Sequence, residues 1–424
     1  WDGEQFSFFT DCLWAAPVGL QVADGVLAPC REWEYLKIHG DRLTAADGEY
    51  ALLMTEELWE IGYIDSMRLL EVIHPAEVEI YSNEKVGPPD IAAFKVHTVH
   101  SPRQPLSAFN HRGRDLMPEL QKRDDVYARP FDRKFKQGLT EPYHIEFALG
   151  DLTGAEDVTL FLTGWIRPTD TSLNIAISQR PDLESTVPPS ISVPDASGQW
   201  QQVRPFIGFP GGKTKTIAID LSGIFPTDDY RVRLVSSMEI YWDAAFFTVD
   251  ESPVELQINE LPLKSAVMRY RGFSKRSPHP RFGPERYDAS EISLEPHWPP
   301  VLGRLTPFGD VLSLLRKADN QMVTFGAGDA IEVRFAVSQK TVPRGWKRDF
   351  VLHNVGWDKD ADLNTVYGQT VNPLPFSGMN GYPDPVGIEA AEPFSDQRRV
   401  QNRVHFWRLL FDENRHRSGS PQDE

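Results

Sequence analysis

Apolar and polar residues alternate with a period of two along much of this chain. In Ala330-Ile-Glu-Val-Arg-Phe-Ala-Val337, Ile331, Val333, Phe335 and Val337 take one face, and Glu332, Arg334 and Ala336 the other. Tyr230-Arg-Val-Arg-Leu-Val235 repeats the pattern, and strand character continues through Met238-Glu-Ile-Tyr-Trp242. Asp157 to Trp165 and Thr216 to Leu221 follow it less strictly. Such segments bury one side and wet the other, as strands of antiparallel sheets do. Turn residues recur at short intervals, which favours sandwiches over strand–helix–strand units. The aromatic start, Trp1 to Phe9, also reads as a strand.

Helical signals are few. Asp310 is placed to cap a short helix through Ala318, and Asp115 another over 116–122, with Pro118 tolerated in the first turn. A terminal helix is expected after Ser395, where Val400, Val404, Trp407 and Phe411 recur at helical spacing. The expected fold is therefore mainly β: two or three antiparallel β-sandwich-like modules, few short helices and a C-terminal helix. Proline-rich stretches at 181–194 and 278–307 suit edges and linkers. Loose boundaries near 135 and 255 give modules 1–135, 136–255 and 256–424. The length, 424 residues, exceeds one ordinary core.

Charge narrows the partners. A formal charge of −17 argues against nucleic acid, which needs clustered Lys and Arg, and against an anionic membrane surface. No apolar run approaches the ~20 residues of a membrane-spanning helix, so no membrane insertion is expected. The chain starts at Trp1 without a basic or apolar leader, so a cut inside a longer protein is the simpler expectation. The two cysteines, Cys12 and Cys30, are either bridged or two buried thiols, and the sequence leaves both open.

Motif chemistry is sparse. Gly208-Phe-Pro-Gly-Gly-Lys-Thr214 imitates a phosphate-binding loop, but Ile207 stands where the first glycine belongs and a strand follows. No nucleotide or organic cofactor is expected. No serine-hydrolase elbow and no zinc-protease helix is present. The 11 histidines are scattered, and the 61 acidic residues single out no catalytic pair.

Two constellations remain. Asp358-Lys-Asp360-Ala-Asp362-Leu-Asn364 places carboxylates at alternate positions of a loop, which can converge on Ca²⁺. Leu363 and Gln369 depart from the usual loop pattern, and a solvated acidic turn is the plainer alternative. The candidate metal ligands are Asp358, Asp360, Asp362 and Asn364. Separately, tryptophan recurs near aspartate at strand ends: Trp165 with Asp170, Trp242 with Asp243, and Trp357. Exposed, these residues would stack on and hydrogen-bond a sugar. Buried, they are core and turn residues.

Several strings resemble the C-terminal region of bacterial ASPIC/UnbV-type proteins, related to cartilage acidic protein. They include Phe6-Ser-Phe-Phe-Thr-Asp-Cys-Leu-Trp-Ala-Ala-Pro, His74-Pro-Ala-Glu-Val-Glu-Ile-Tyr-Ser-Asn-Glu-Lys, Leu162-Thr-Gly-Trp-Ile-Arg-Pro-Thr-Asp-Thr-Ser and Phe350-Val-Leu-His-Asn-Val-Gly-Trp-Asp-Lys-Asp-Ala-Asp-Leu-Asn. The resemblance spans about residues 1–380. It implies a secreted or cell-surface protein (periplasmic is the other placement) with an FG-GAP/VCBS β-propeller upstream in the same polypeptide. It carries over no catalytic residue. The expected function is a non-catalytic binding or scaffolding module, braced by calcium if the acidic loop binds it, with a glycan or another extracellular protein as ligand. The alternatives are a secreted polysaccharide-acting hydrolase that uses a carboxylate pair, and a pure spacer.

Overall fold

The computed structural model describes residues 1–180, 182–183, 185–384 and 399–400. The architecture is mainly β, with antiparallel sheets and short helices, as the alternation predicts. Ile331, Val333 and Phe335 are fully buried, while Glu332, Arg334 and Ala336 on the other face are half-exposed. That strand, Asp329–Ala336, lies between Leu263–Tyr270 and Glu49–Thr55. The facing sheet runs Gln257–Leu261, Glu60–Pro75, Trp346–Asp360, Trp33–Ile38, and Val323–Gly326 also pairs with Glu60–Pro75. Between the two sheets lies one core, including Leu36, Ile64, Leu69, Phe325, Phe335 and Phe350.

A second sandwich occupies the middle of the chain. One sheet runs Lys134–Lys136, Leu139–Ala148, Arg231–Met238, Ser190–Pro194, Trp200–Arg204, and Ser107–Asn110 also pairs with Leu139–Ala148. The other runs Lys215–Asp220, Val158–Ile166, Ile240–Val249. Its core holds Ile145, Phe147, Leu160, Ile191, Leu234 and Trp242. The central sandwich is inserted into the other one. Strands from the expected first and third modules share both sheets of a single sandwich, so those segments interleave. The boundary expected near 135 falls within Lys134–Lys136, and the one near 255 in the link before Gln257–Leu261.

Local chemistry explains the short helices. Asp310 accepts from Leu312 N–H (2.9 Å) ahead of the single turn Leu312–Leu315, and Asp115 does the same for Met117 N–H (2.9 Å). The stretch 1–9 carries no strand, contrary to the alternation of its aromatics. Asp2 accepts from Glu4 and Gln5 N–H (both 2.9 Å), and this closes a turn where an extended strand would run. The expected C-terminal helix lies outside the described residues, apart from Arg399–Val400, which pair as a short strand with Arg304–Leu305. Among the described residues no helix is long and apolar enough to cross a membrane.

Candidate functional site: an acidic cavity

The segment 10–18 straps the two sandwiches together. Asp11 takes the Lys215 ammonium (2.8 Å) and Lys213 N–H (2.8 Å) from the central sandwich. Lys215 also donates to the Gly211 carbonyl. On the other side Leu13 N–H donates to Glu34 (2.8 Å), and Ala16 and Val18 exchange backbone hydrogen bonds with Asp358 (3.0 and 2.8 Å). The glycine pair 211–212, which imitated a phosphate loop, permits this close approach. Gly212 has φ +75°, and a Cβ there would collide with the side chains of Asp11 and Trp14.

Beside the strap lies a cavity of about 210 Å³, lined by Phe8, Phe9, Trp14, Tyr287, Lys213, Glu56, Glu60 and Asp358 among others. Oxygens of Glu56, Glu60 and Asp358 all lie within 4.8 Å of one another. The strands dictate this. Asp358 stands opposite Gly62 and Asp360 opposite Glu60 on paired antiparallel strands, so all three carboxylates project from one face. Glu56 reaches them from the end of Glu49–Thr55 and accepts from Leu58 N–H (3.1 Å). Glu60 accepts no hydrogen bond from the described residues.

Burial and mutual repulsion push these acids up. Burial raises Glu56 well above the usual carboxylate range, and the Glu60 charge adds to it. Burial raises Glu60 as well, reinforced by Asp358 and Asp360 and offset in part by Lys213. Asp358 is raised by burial, then by Glu56 and Asp360. Asp360 is pushed up to about 6, by burial first.

The expected calcium loop thus divides in two. Asp358 turns toward Glu56 and Glu60. Asp362 accepts from Ser172 Oγ (2.7 Å) and Asn364 N–H (2.8 Å), and Asn364 Nδ2 donates to Ser172 Oγ (2.8 Å). Those two residues pin the loop to the helix Thr171–Ser178. Asp360 accepts from Asp362 N–H (3.0 Å). The sequence reading missed Glu56 and Glu60. The available signal was Glu56-Glu-Leu-Trp-Glu60, an acidic run leading into a long strand.

The three tryptophans are interior. Trp165 is 8% exposed, Trp242 1% and Trp357 1%, so they do not form a sugar-stacking groove. Trp165 stacks on Tyr241 at 5.2 Å and donates to the Phe282 carbonyl (2.7 Å). Asp170 is the N-cap of Thr171–Ser178, accepting from Leu173 N–H at 2.7 Å. Asp243 is fully buried, accepts from Asp124 N–H (3.1 Å), and is raised to about 6 by burial. Cys12 and Cys30 are unbridged.

A second acidic group, His39, Glu79 and Asp349, already has cations. Lys37 lies 3.5 Å from both Glu79 and Asp349, His74 lies 3.3 Å from Asp349, and Lys347 pairs with Glu79. Burial alone would raise Asp349, but His74, Lys37 and the Gly40 N–H outweigh it and hold the acid below the usual range. This cluster is a closed ion-pair network.

No known protein-family model matches the chain, and no curated protein matches it.

Proposed function

We propose that this chain is a non-catalytic binding or scaffolding module of a larger secreted or cell-surface protein, braced by a divalent cation at Glu56, Glu60 and Asp358. One observation carries the reading: three carboxylates, Glu56 buried and Glu60 and Asp358 half-buried, converge in a cavity. Like charges held this close in a desolvated site repel strongly and call for either protons or a cation. The spacing suits calcium. Ca²⁺–oxygen bonds of about 2.3–2.6 Å place opposite ligands about 4.6–5.2 Å apart, and the three oxygens lie within 4.8 Å. An all-oxygen donor set also matches a hard cation. A bound ion would hold the strand ends and the strap in one arrangement. The ligand of the module would be a glycan or another protein. The half-buried Phe8 and Tyr287 rings lining the cavity, 5.4 Å apart, offer apolar surface to either. The resemblance to ASPIC/UnbV-type proteins supports the extracellular placement and an upstream propeller in the same polypeptide.

A second reading, a secreted polysaccharide-acting hydrolase, draws on the same acids. A raised carboxyl next to a second carboxylate is the arrangement that glycoside hydrolysis uses. Thermal unfolding of the chain in EDTA, Ca²⁺ and Mg²⁺, run beside a reducing-sugar assay on a polysaccharide panel, separates the two. A Ca²⁺-specific rise in midpoint without sugar release supports the brace. Sugar release that Glu60→Gln abolishes would replace it with the hydrolase.

A further inference from the structure

The strands Phe273–Ser277 and Arg286–Ser293 form a hairpin that pairs with no other strand among the described residues. Its register carries a bulge. Ser274 stands opposite Ile292, but Lys275 stands opposite Asp288, so Ala289, Ser290 and Glu291 are left over on one strand. Asp288 accepts from Ser290 N–H (2.9 Å) and Ser290 Oγ (2.6 Å), which fixes the bulge. A bulge re-aims the side chains it carries. Here it brings Glu291 to Lys275, whose ammonium donates to both carboxylate oxygens (2.8 Å each).

This hairpin and Trp298 line an open groove of about 600 Å³, a size that suits a small ligand. The apolar lining is largely aromatic. Trp298 is half-buried, and its indole N–H donates to the Glu57 carbonyl (3.0 Å), which fixes the ring by its edge. The Glu57 carboxylate accepts from Ser274 N–H (2.8 Å) and Oγ (2.6 Å), so the ring and the hairpin share one anchor. Pro296, Pro299 and Pro300 stiffen the backbone around Trp298. His297 stacks on the buried Phe273 at 4.2 Å, and Tyr287 is half-buried.

The polar lining is balanced in charge. Lys275 pairs with Glu291, Arg276 with Glu285 (3.4 Å), and Glu57 with Arg271 (3.6 Å). No excess charge is left to draw in an ion, so the groove favours a neutral ligand. Its acids accept hydrogen bonds and its cations donate them side by side. The Tyr287 hydroxyl and the His297 ring nitrogens form no hydrogen bond among the described residues. A ligand with apolar ring faces and many hydroxyls, each both donor and acceptor, matches both halves of the lining. That is the chemistry of a sugar. A proline-rich peptide would also stack on the aromatics, but proline has no N–H and would leave the carboxylates unmatched.

We propose that this groove binds a neutral oligosaccharide, with Trp298 as the stacking platform and the Lys275–Glu291 pair as a rim that recognises hydroxyls. The proposal rests on the binding-module reading and chooses the glycan as its ligand. Glu56, Glu60 and Asp358 lie outside the lining of the groove. Trp298 takes the stacking role expected of Trp165, Trp242 and Trp357, which are interior.

The test is isothermal titration calorimetry of the whole chain in Ca²⁺ against neutral oligomers of glucose, xylose, mannose and N-acetylglucosamine. An oligogalacturonate, a chitosan oligomer and a proline-rich peptide serve as comparators. At least one neutral oligosaccharide should bind, and more tightly than every comparator. Trp298→Ala should weaken that binding about tenfold or more, and Trp298→Phe should recover part of it. Glu291→Ala, at an exposed position, should weaken it severalfold. Trp200→Ala, on the central sandwich, should leave it unchanged. No sugar binding, a preference for a comparator, or binding that Trp298→Ala leaves intact would overturn the proposal. Should that variant not fold, Glu291→Ala decides instead. The calcium-induced rise in midpoint, recorded on the same preparations, judges the cation brace separately. A rise without sugar binding strikes this site and leaves the module reading. Sugar release abolished by Glu60→Gln strikes that reading and leaves the groove to the Trp298 result.

Discussion

Asp358 and Glu60 meet diagonally across two paired strands: Asp358 stands opposite Gly62, two residues from Glu60, and their carboxylate oxygens lie within 4.8 Å. The pair is therefore fixed by backbone register, not by flexible loops. A one-residue slip would send one of the two to the opposite face.

Calcium should stabilise the chain. At about 100 times its dissociation constant a ligand adds about 2.7 kcal/mol, which moves the melting midpoint by a few degrees. Differential scanning fluorimetry in EDTA and in millimolar Ca²⁺ measures this. Asp358→Asn should abolish the shift and, in EDTA, melt higher than wild type because repulsion is relieved. Asp362→Ala should leave the shift in place, because Asp362 serves Ser172. The opposite ranking of the two variants would restore the loop as the cation site.

The pH dependence should change sign with the metal. Glu56, Glu60, Asp358 and Asp360 all have folded-state values above those of the unfolded chain. Their contribution is fully present below the ordinary carboxylate range and is lost as pH rises through the raised values. In EDTA, acidification from pH 7 to 5 should therefore favour folding at this cluster. With Ca²⁺, protons compete for the same oxygens, so the calcium-induced gain should shrink over that interval. Urea titrations at both pH values, with and without Ca²⁺, give the four stabilities needed. Parallel pH profiles would contradict a shared site.

Gly62 carries no side chain for a steric reason. A Cβ there would run into the Phe325 ring, which is buried in the sandwich core. Gly62→Ala should cost about 1–3 kcal/mol by overpacking. Equilibrium urea unfolding tests it, and a neutral result would mean that the ring yields freely.

Lys359, on the opposite face of the strand from Asp358, is lowered to about 7 by burial. Its folded value lies below the unfolded one, so the unfolded chain binds the extra proton between pH 7 and 10. Stability from this group should rise with pH across that window. Lys359→Met should flatten the slope, measured as the difference in unfolding free energy between pH 7 and 9. An unchanged slope would place the titration elsewhere.

The sheet strands were legible because period-two alternation reports one-sided burial directly. Asp329–Ala336 shows this residue by residue. The interleaving was not legible. Nothing local in Gln257–Leu261 says that it pairs with Glu60–Pro75, nearly two hundred residues earlier, rather than with Ile240–Val249 just before it. The site was half legible. Asp358 stood out by its neighbours in sequence, but its partners in space arrive through strand pairing. Trp165, Trp242 and Trp357 show the limit from the other side: residue type alone does not separate a stacking platform from core packing.

The inserted sandwich leaves after Pro75 and returns at Gln257, which pairs with Ile73, so its two covalent connections lie side by side. Two neighbouring tethers define an axis and leave rotation about it open. The strap from Lys215 through Asp11 to Asp358 and the bonds of Asp362 and Asn364 to Ser172 are further attachments. Together they restrict the remaining rotational freedom. The residues that line the acidic cavity therefore also help to set the angle between the two sandwiches, and whatever fills the cavity acts on that angle.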